Sequence, residues 1–243
     1  MIVVDAEDRE NEGDFIAAAD ATTPEIVNFM ITHGRGQVCV PILPDVARRL
    51  DLPMMVATNS TPLGTAYTVP VDHISARTGI TAAERAAAIA ALADPTSCPG
   101  DFVRPGHLFP LVAKEGGVLR RAGHTEAAVD LARMAGRPPA GVLCEILDDS
   151  GNRADREALF ALATTHGLEI ISIEELIRVR RAREKLVERI AEADLPTKWG
   201  RFRIIAYDVK FENQQPIVLV MGDPSGVTAP LVRLHSSCFT GDL

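Results

Sequence analysis

The 243-residue chain is short of cysteine and of long apolar runs, and each shortage excludes a class of protein. Its four cysteines are widely spaced, which argues against a disulfide framework or a local zinc knuckle and favours reduced thiols in the cytoplasm. No apolar run approaches the roughly 18 residues that cross a bilayer. The N-terminus shows no basic region ahead of an apolar segment, so we expect neither an export signal nor a membrane partner.

Positive charge is also scarce, because 25 lysines and arginines face 33 aspartates and glutamates, for a net charge of -8. This balance argues against a surface built for nucleic acid or anionic lipid. One basic segment, residues 178–189, could be a nucleic-acid helix, but a solvated connecting helix is favoured in so acidic a chain. With 47% hydrophobic residues, the chain can bury a sizeable core.

Strand-like and helix-like runs alternate over the first three quarters of the chain. "GQVCVPI" and "EIISI" predict strands, whereas "TAAERAAAIAALADP" and "DREALFALATTHGL" predict helices, the former ended by Asp-Pro. Such alternation predicts an α/β or α+β fold, with a mixed β-sheet covered by helices. We assign residues 1–181 to this domain.

The sequence changes character after this domain. Residues 182–196 continue a charged helical pattern and are predicted to form a helical linker. Residues 197–243 contain β-rich runs such as "GRFRIIAYDV" and "PIVLVMGD". About 45 residues are too few for an independent core of ordinary stability, so we predict a short, incomplete β-rich segment here.

The stretch "VVDAEDRENEGDF" places six carboxylates between Asp5 and Asp14, with Arg9 among them. A calcium loop counted from Asp8 fails, because Ala19 stands where a bidentate glutamate is needed. A solvated turn is one interpretation. A magnesium or manganese site is the other, because carboxylates so close together repel one another unless a cation lies between them.

A second candidate site lies in "LRRAGHTEAAVDLARMAG", where two arginines precede a Gly-His-Thr turn that opens a helix. Free backbone N–H groups at a helix start, close to Arg120 and Arg121, favour phosphate binding. His124 could bind a metal through one ring nitrogen. Alternatively, Thr125 only caps the helix and the arginines are surface residues.

Two further residues are candidates for proton transfer. Alternation in "GVLCEIL" places Glu145 on one strand face and Cys144 on the other. Burial of Glu145 among apolar neighbours would raise its pKa, unless the strand is an edge that faces water. In "RPGHLFPL", His107 lies between two predicted proline turns, a rigid position, and a surface-loop histidine is the alternative.

Taken together, the motifs resemble those of a known family. Residues 2–181 resemble 3,4-dihydroxy-2-butanone-4-phosphate synthase, a lyase of riboflavin biosynthesis, and residues 197–243 resemble the beginning of GTP cyclohydrolase II, which is usually fused behind it in bacteria. The motifs that carry the first resemblance are "EDRENEGD", "HGRGQVCVPI", "GTAYTVPVD", "TGITAAERA", "RPGHLFPL", "GGVLRRAGHTEAAVDLARMAG" and "GVLCEIL".

The resemblance implies roles for individual positions. Glu10 and His124 would hold two divalent metal ions, Mg²⁺ or Mn²⁺, and His107 and Glu145 match positions essential for catalysis. The residues implied to bind ribulose 5-phosphate are Arg9, Glu10, Asp14, Arg121, Ala122, Gly123, His124, Thr125 and Glu145.

The resemblance further implies a homodimer that converts ribulose 5-phosphate to 3,4-dihydroxy-2-butanone 4-phosphate and formate. In the cyclohydrolase-like segment, Cys238 matches a zinc cysteine, but the paired cysteines expected after it are absent and Ser237 replaces the usual glutamate. We therefore expect no zinc and no GTP cyclohydrolase activity. The alternative is an inactive truncated remnant, or a non-catalytic partner of a complete paralogue.

Overall fold

The computed structural model describes residues 1–211, 213 and 215–236, and the chain divides into two compact units, Met1–Ala182 and Arg183–Leu243. Among the described helices, none is both long enough and apolar enough to cross a membrane. Ser237 and Cys238, on which the zinc expectation depends, lie outside the described residues.

The first unit is built on one seven-stranded sheet. Its strands are β1 (Ile2–Val4), β2 (Gly13–Ala18), β3 (Cys39–Ile42), β4 (Val71–His73), β5 (Phe102–Val112), β6 (Gly141–Glu145) and β7 (Ile170–Ser172). They lie in the order β4-β5-β3-β6-β2-β1-β7. The pairs β1–β7 and β3–β5 are parallel and the other pairs are antiparallel, so the predicted mixed sheet is confirmed.

Six helices accompany this sheet. They are α1 (Pro24–Phe29), α2 (Pro44–Arg49), α3 (Ala82–Ala93), α4 (His124–Met134), α5 (Arg156–His166) and α6 (Ile173–Arg183). Capping residues define where these helices begin and end. Thr81 and Glu84 form a reciprocal capping box at the start of α3. Gly167, at a φ of 63°, ends α5 in the left-handed conformation that glycine adopts without strain.

Successive residues of each strand point to opposite sides of the sheet. Helices pack against both sides, so both faces contribute to the buried core. On one face, Val142 and Cys144 pack with residues of α1, α3 and α5. On the other face, Leu143 packs with Ala127 and Ala128 of α4 and with residues of α6. The alternation predicted for "GVLCEIL" is therefore confirmed, and the sheet lies between two layers of helices.

The predicted proline turns around His107 are wrong, because the segment belongs to the 11-residue strand β5. Its pairing with β4 jumps from Val103 to Leu108, which leaves residues 104–107 outside the ladder as a bulge. A bulge tolerates proline because the missing N–H group has no ladder partner to lose. His107 therefore projects from an irregular part of a strand.

The second unit contains a three-stranded antiparallel sheet made of β8 (Val187–Thr197), β9 (Gly200–Val209) and β10 (Ile217–Val220). The helical linker predicted at residues 182–196 is wrong, because α6 ends at Arg183 and most of the segment forms β8. Ladder hydrogen bonds to β9 override the helical preference of its charged residues. The β-rich character predicted for the C-terminal segment is confirmed.

Candidate active site

The acidic loop connects β1 to β2 and is organised around Asp5. This buried carboxylate accepts hydrogen bonds from the backbone N–H groups of Glu10 at 3.1 Å and Glu12 at 3.0 Å, and from Arg9 Nη1 at 2.7 Å. Burial alone would raise the pKa of Asp5, but these hydrogen bonds to its charged form lower it overall. Asp5 therefore holds the loop in shape as a carboxylate.

Asp14 and Glu145 lie directly opposite each other on β2 and β6. Asp14 is buried, and its Oδ1 atom has no hydrogen-bond partner. Burial raises the pKa of Asp14 well above its usual range, and the nearby charges of Glu145, Glu12 and Glu10 raise it further. Such a buried carboxylate lacks a positive partner among the described residues.

His124 is the first residue of α4 and is buried beside this cluster. Its Nε2 atom lies 3.1 Å from the backbone oxygen of Val3, while Nδ1 lies 3.9 Å from Asp14 Oδ2. A carbonyl oxygen can only accept, so Nε2 carries the proton and Nδ1 keeps a lone pair. Burial also lowers the pKa of His124, which favours this neutral form.

Two groups of possible metal ligands share His124. Asp5 and Glu10 form one group with it, Glu12 and Asp14 form the other, and the ligand atoms within each group lie within 4.8 Å of one another. Carboxylate oxygens with one imidazole nitrogen are suitable donors for Mg²⁺ or Mn²⁺. The unpaired Asp14 Oδ1 independently indicates that the cluster fits a cation.

Repulsion within the cluster also affects Glu12. Burial, together with the charges of Glu10, Glu145 and Asp5, raises the pKa of Glu12 to about 7. The charge of Arg153 opposes part of this effect on Glu12. The crowding that the sequence indicated therefore persists in the folded chain, and the interpretation of a fully solvated turn does not describe it.

Two guanidinium groups approach the start of α4 at Gly123. A Cβ atom at Gly123 would overlap Arg121 Nη1 and would lie 3.0 Å from Arg9 Nη2. Gly123 is the N-cap and its φ is −124°, so glycine is needed here for space rather than for backbone freedom. Since Gly123 caps α4, the interpretation of Thr125 as the capping residue is wrong; Thr125 is buried, whereas Ala122 is exposed.

Arg9 connects the acidic cluster, which contains both groups of possible metal ligands, to this guanidinium pair. Its Nη1 atom contacts the carboxylates of both Asp5 and Glu10, while its Nη2 atom lies on the side of Gly123. An anion at the start of α4 would therefore lie beside the acidic cluster. This arrangement suits a substrate that carries a phosphate a few atoms away from metal-binding oxygens.

Glu145 is half-buried at the end of β6 and accepts a 2.7 Å hydrogen bond from the backbone N–H of Gln37. The alternative of an edge strand facing water is wrong, because β6 lies between β3 and β2. A Cβ atom at Gly36 would lie 2.6 Å from Glu145 Oε2, so the loop backbone closely approaches this carboxylate. Glu145 and Asp14 thus form a carboxylate pair at one end of the sheet.

His107 lies elsewhere in the first unit. Its side chain is 46% exposed and pairs with Asp72 of β4, and β3 separates β5 from β6. Among the described residues, no hydrogen bond or ion pair joins this pair to the acidic cluster. The structure thus brings together the expected metal and substrate residues, whereas His107, which was expected to be catalytic, forms a separate pair.

Sequence reasoning missed four carboxylates that organise these groups. Weak signals existed for three of them: Asp5 follows an apolar strand directly, Asp72 ends the alternating run "GTAYTVPVD", and Glu126 follows Gly-His-Thr at a helix start. The missed residues are Asp5, Glu12, Asp72 and Glu126.

A helix-covered mixed sheet, with a group of possible metal ligands beside a helix start that two guanidinium groups approach, is typical of enzymes that act on small anionic molecules. The chain belongs to the 3,4-dihydroxy-2-butanone 4-phosphate synthase family, lyases of riboflavin biosynthesis, whose profile matches residues 1–179. The profile of GTP cyclohydrolase II matches residues 188–243. The family that the sequence motifs indicated is therefore confirmed.

Individual relatives agree with this assignment. Riboflavin biosynthesis protein RibBA of Bacillus cereus is 54% identical over 243 residues, which are 100% of this chain and 61% of that protein. The crystal structure of RibBX, a two-domain 3,4-dihydroxy-2-butanone 4-phosphate synthase from A. baumannii, is 44% identical, with a TM-score of 0.86 over 92% of this chain and 66% of that one. A 3,4-dihydroxy-2-butanone 4-phosphate synthase in complex with two magnesium ions is 43% identical, with a TM-score of 0.73 over 76% of this chain and 93% of that one.

Proposed function

We propose that this chain converts D-ribulose 5-phosphate to 3,4-dihydroxy-2-butanone 4-phosphate and formate, using Mg²⁺ or Mn²⁺. The observation that carries the proposal is the buried carboxyl group of Asp14, whose Oδ1 has no hydrogen-bond partner and which lies beside His124 in a crowded group of acids. A site of this kind favours a bound cation, and the solved relative with two magnesium ions supports two ions per site.

Glu10 and His124 would hold the metal, and Asp14 and Glu12 form a second group of possible donors that shares His124. When bound, the metal supplies Lewis-acid stabilisation of negative charge on neighbouring substrate oxygens. Hydrogen bonding to Val3 fixes the His124 ring so that Nδ1 faces the acids. The protein therefore prepares the ligand orientation before any ion binds.

The phosphate of the substrate would bind at the start of α4. Arg121 and Arg9 bring two guanidinium groups there, and the first backbone N–H groups of the helix have no partners within the helix. Gly123 leaves room for both. Because Arg9 also contacts Asp5 and Glu10, it would hold the phosphate end of the substrate at a fixed position relative to the acids.

Glu145 and His107 are the proposed proton-transfer residues. The family reaction involves enolisation, loss of water, rearrangement and hydrolytic release of one carbon, and each of these steps moves protons at carbon or hydroxyl groups. Glu145 lies opposite Asp14 and is held by Gln37 N–H, so it is placed to exchange protons with the substrate at the acidic cluster. His107 keeps Nε2 available, because Nδ1 is engaged by Asp72.

We propose a homodimer as the assembly. The first unit exposes several large apolar side chains, which are typical of a surface that is covered by a partner: Met54, Met55, Ile74, Ile80 and Val103.

Formate release from ribulose 5-phosphate tests the proposal. The purified chain should release formate with Mg²⁺, and EDTA should abolish the release reversibly. His124→Ala should lower kcat by at least about 10²-fold, as expected for loss of a contact to developing charge. His73→Ala is the control, since His73 hydrogen-bonds to nearby Ser75 rather than to the acids. No formate from a folded wild-type chain would favour the inactive remnant.

A further inference from the structure

We infer that Glu126 is a positioning residue that holds Arg121 in its phosphate-binding position, an inference that rests on the proposed function. Glu126 lies in the first turn of α4 and is 1% exposed. It belongs to neither group of possible metal ligands. A buried carboxylate three residues after the N-cap, outside both of these groups, needs another explanation.

Both oxygens of Glu126 are engaged, and they hold two ends of one chain segment. Oε1 accepts a 2.9 Å hydrogen bond from the backbone N–H of Lys114, and Oε2 lies 2.8 Å from Arg121 Nη1. Residues 114–121 thus form a loop that begins and ends at the same carboxylate. Because this loop leads directly into Gly123, fixing it also fixes the approach to the start of α4.

The ion pair between Glu126 and Arg121 is shielded from water, which makes it more effective than a surface pair. The Arg121 side chain is 18% exposed and that of Glu126 is 1% exposed. Charge-assisted hydrogen bonds of this kind are short and directional. On its other edge, Arg121 donates to the backbone oxygen of Leu63 from Nε at 3.4 Å and Nη2 at 3.2 Å. The shorter, charged contact is therefore the one that orients the guanidinium.

Arg9, the other arginine near Gly123, has its partners within the acidic cluster. It turns into the acidic cluster and pairs with Asp5 and Glu10. Glu126 gives Arg121 a separate partner on α4, so Arg121 remains beside Gly123 instead of neutralising the acids. This division keeps one guanidinium for phosphate while leaving the cluster enough negative charge for a cation.

Glu126→Gln tests the inference. Glutamine preserves the shape and can still accept from Lys114 N–H, but it removes the charge that orients Arg121. We expect KM for ribulose 5-phosphate to rise about tenfold or more, with a smaller change in kcat, and the Kd of inorganic phosphate to rise by a similar factor. The Kd of Mg²⁺ should stay unchanged. The matched control is Glu115→Gln, which removes the same charge from an exposed position in the same loop.

A double variant tests whether Glu126 acts through Arg121. In the Arg121→Gln background, Glu126→Gln should change phosphate affinity no further, because the group it positions is already gone. A second, independent loss in that background would overturn the inference, as would wild-type phosphate affinity in Glu126→Gln alone.

If Glu126→Gln does not fold, Glu126→Asp takes its place, since it keeps the charge but is one methylene too short to reach both partners. Wild-type phosphate affinity in Glu126→Asp would then overturn the inference.

Phosphate binding separates this inference from the proposed function. Titration calorimetry with inorganic phosphate and metal-loaded protein requires no turnover. A wild-type chain that binds phosphate but releases no formate would contradict the proposed reaction, while the comparison between the wild type and Glu126→Gln would still decide the role of Glu126. Wild-type protein that binds no phosphate would overturn the inference.

Discussion

Asp72 holds His107 at two points. Its Oδ1 atom accepts a 2.9 Å hydrogen bond from the backbone N–H of His107, and its Oδ2 atom lies 2.8 Å from the Nδ1 atom of the ring. Gly79 packs so closely against this pair that an added Cβ atom would overlap the carboxylate of Asp72. The imidazole is thereby oriented by a buried acid and by the backbone of a neighbouring loop.

Replacing Asp72 by asparagine should impair catalysis more than binding. Asparagine can still accept from the backbone of His107, but it no longer provides a negative charge next to the ring. We expect kcat to fall between about 10-fold and 10³-fold, below the full contribution of a general acid–base residue, with KM nearly unchanged. Steady-state formate assays measure this. Asp51→Asn is the control, at an exposed position with a φ of 50° that asparagine tolerates. An unchanged kcat would remove Asp72 and His107 from the mechanism.

Asp14→Asn should stabilise the metal-free protein while destroying its function. The substitution removes an acid whose charged form is disfavoured by burial and by the nearby charge of Glu145, and which has one unpartnered oxygen. We expect Tm without metal to rise by about 2–4 °C, and Mg²⁺ to add no further stability. Differential scanning calorimetry with EDTA or Mg²⁺ checks both points. Asp149→Asn, at a side chain that is 94% exposed, provides the comparison. A lower metal-free Tm for Asp14→Asn would contradict the repulsion argument.

Gly123→Ala should weaken phosphate binding without straining the backbone. The φ of −124° at this residue is accessible to alanine, but the new methyl group would occupy the space of Arg121 Nη1. We expect KM to rise about tenfold, because the guanidinium must move away from the helix start. Gly100→Ala is a matched control, since its Cβ atom would meet only Cys98 Sγ at 3.8 Å. Equal KM values for the two variants would argue against a crowded phosphate site.

Glu84 should contribute stability that depends on pH. Hydrogen bonds from the backbone N–H groups of Arg77 and Thr78, and from the hydroxyl of Thr81, lower the pKa of Glu84 to about 2 from its usual 4.5. A lowered carboxyl pKa stabilises the fold above pH 4.5, and this contribution is lost as pH falls from 4.5 towards 2. Glu84→Gln should therefore lower the urea midpoint at pH 7 and have a smaller effect at pH 3.

A first-turn control isolates the hydrogen-bond network of Glu84 from the general preference for acids at helix starts. Glu157 is exposed in the first turn of α5, so Glu157→Gln removes an equivalent helix-dipole interaction. Glu84→Gln should be the more destabilising of the two variants at pH 7. Equal losses, or a Glu84 effect that persists at pH 3, would show that the network adds nothing.

The sequence predicted those parts of the fold that depend on local pattern. Alternation assigned Cys144 and Glu145 to opposite faces, and the run "TAAERAAAIAALADP" predicted the helix α3. The charged run after Arg183 was predicted as helix because its residues favour helix in isolation. It forms β8 instead, since β9 provides a pairing partner that no local pattern reveals.

The site was predictable as two separate motifs but not as one arrangement. Asp14 and Glu145 become neighbours only through the antiparallel pairing of β2 with β6, which connects positions far apart in the chain. The same holds for Asp72, whose partner His107 belongs to the next strand of the sheet. Sequence motifs identify the candidate catalytic and ligand-binding side chains. The residues that orient those side chains become neighbours only in the tertiary fold.

The hydrogen bond between His124 and the backbone oxygen of Val3 has a consequence for how this site tolerates sequence change. The acceptor belongs to the main chain, and every amino acid supplies it. A substitution at position 3 can alter packing, but it cannot remove the backbone oxygen that selects the tautomer of His124. Loss of the correct imidazole orientation would require displacement of strand β1 itself, so this part of the site is inherited with the fold.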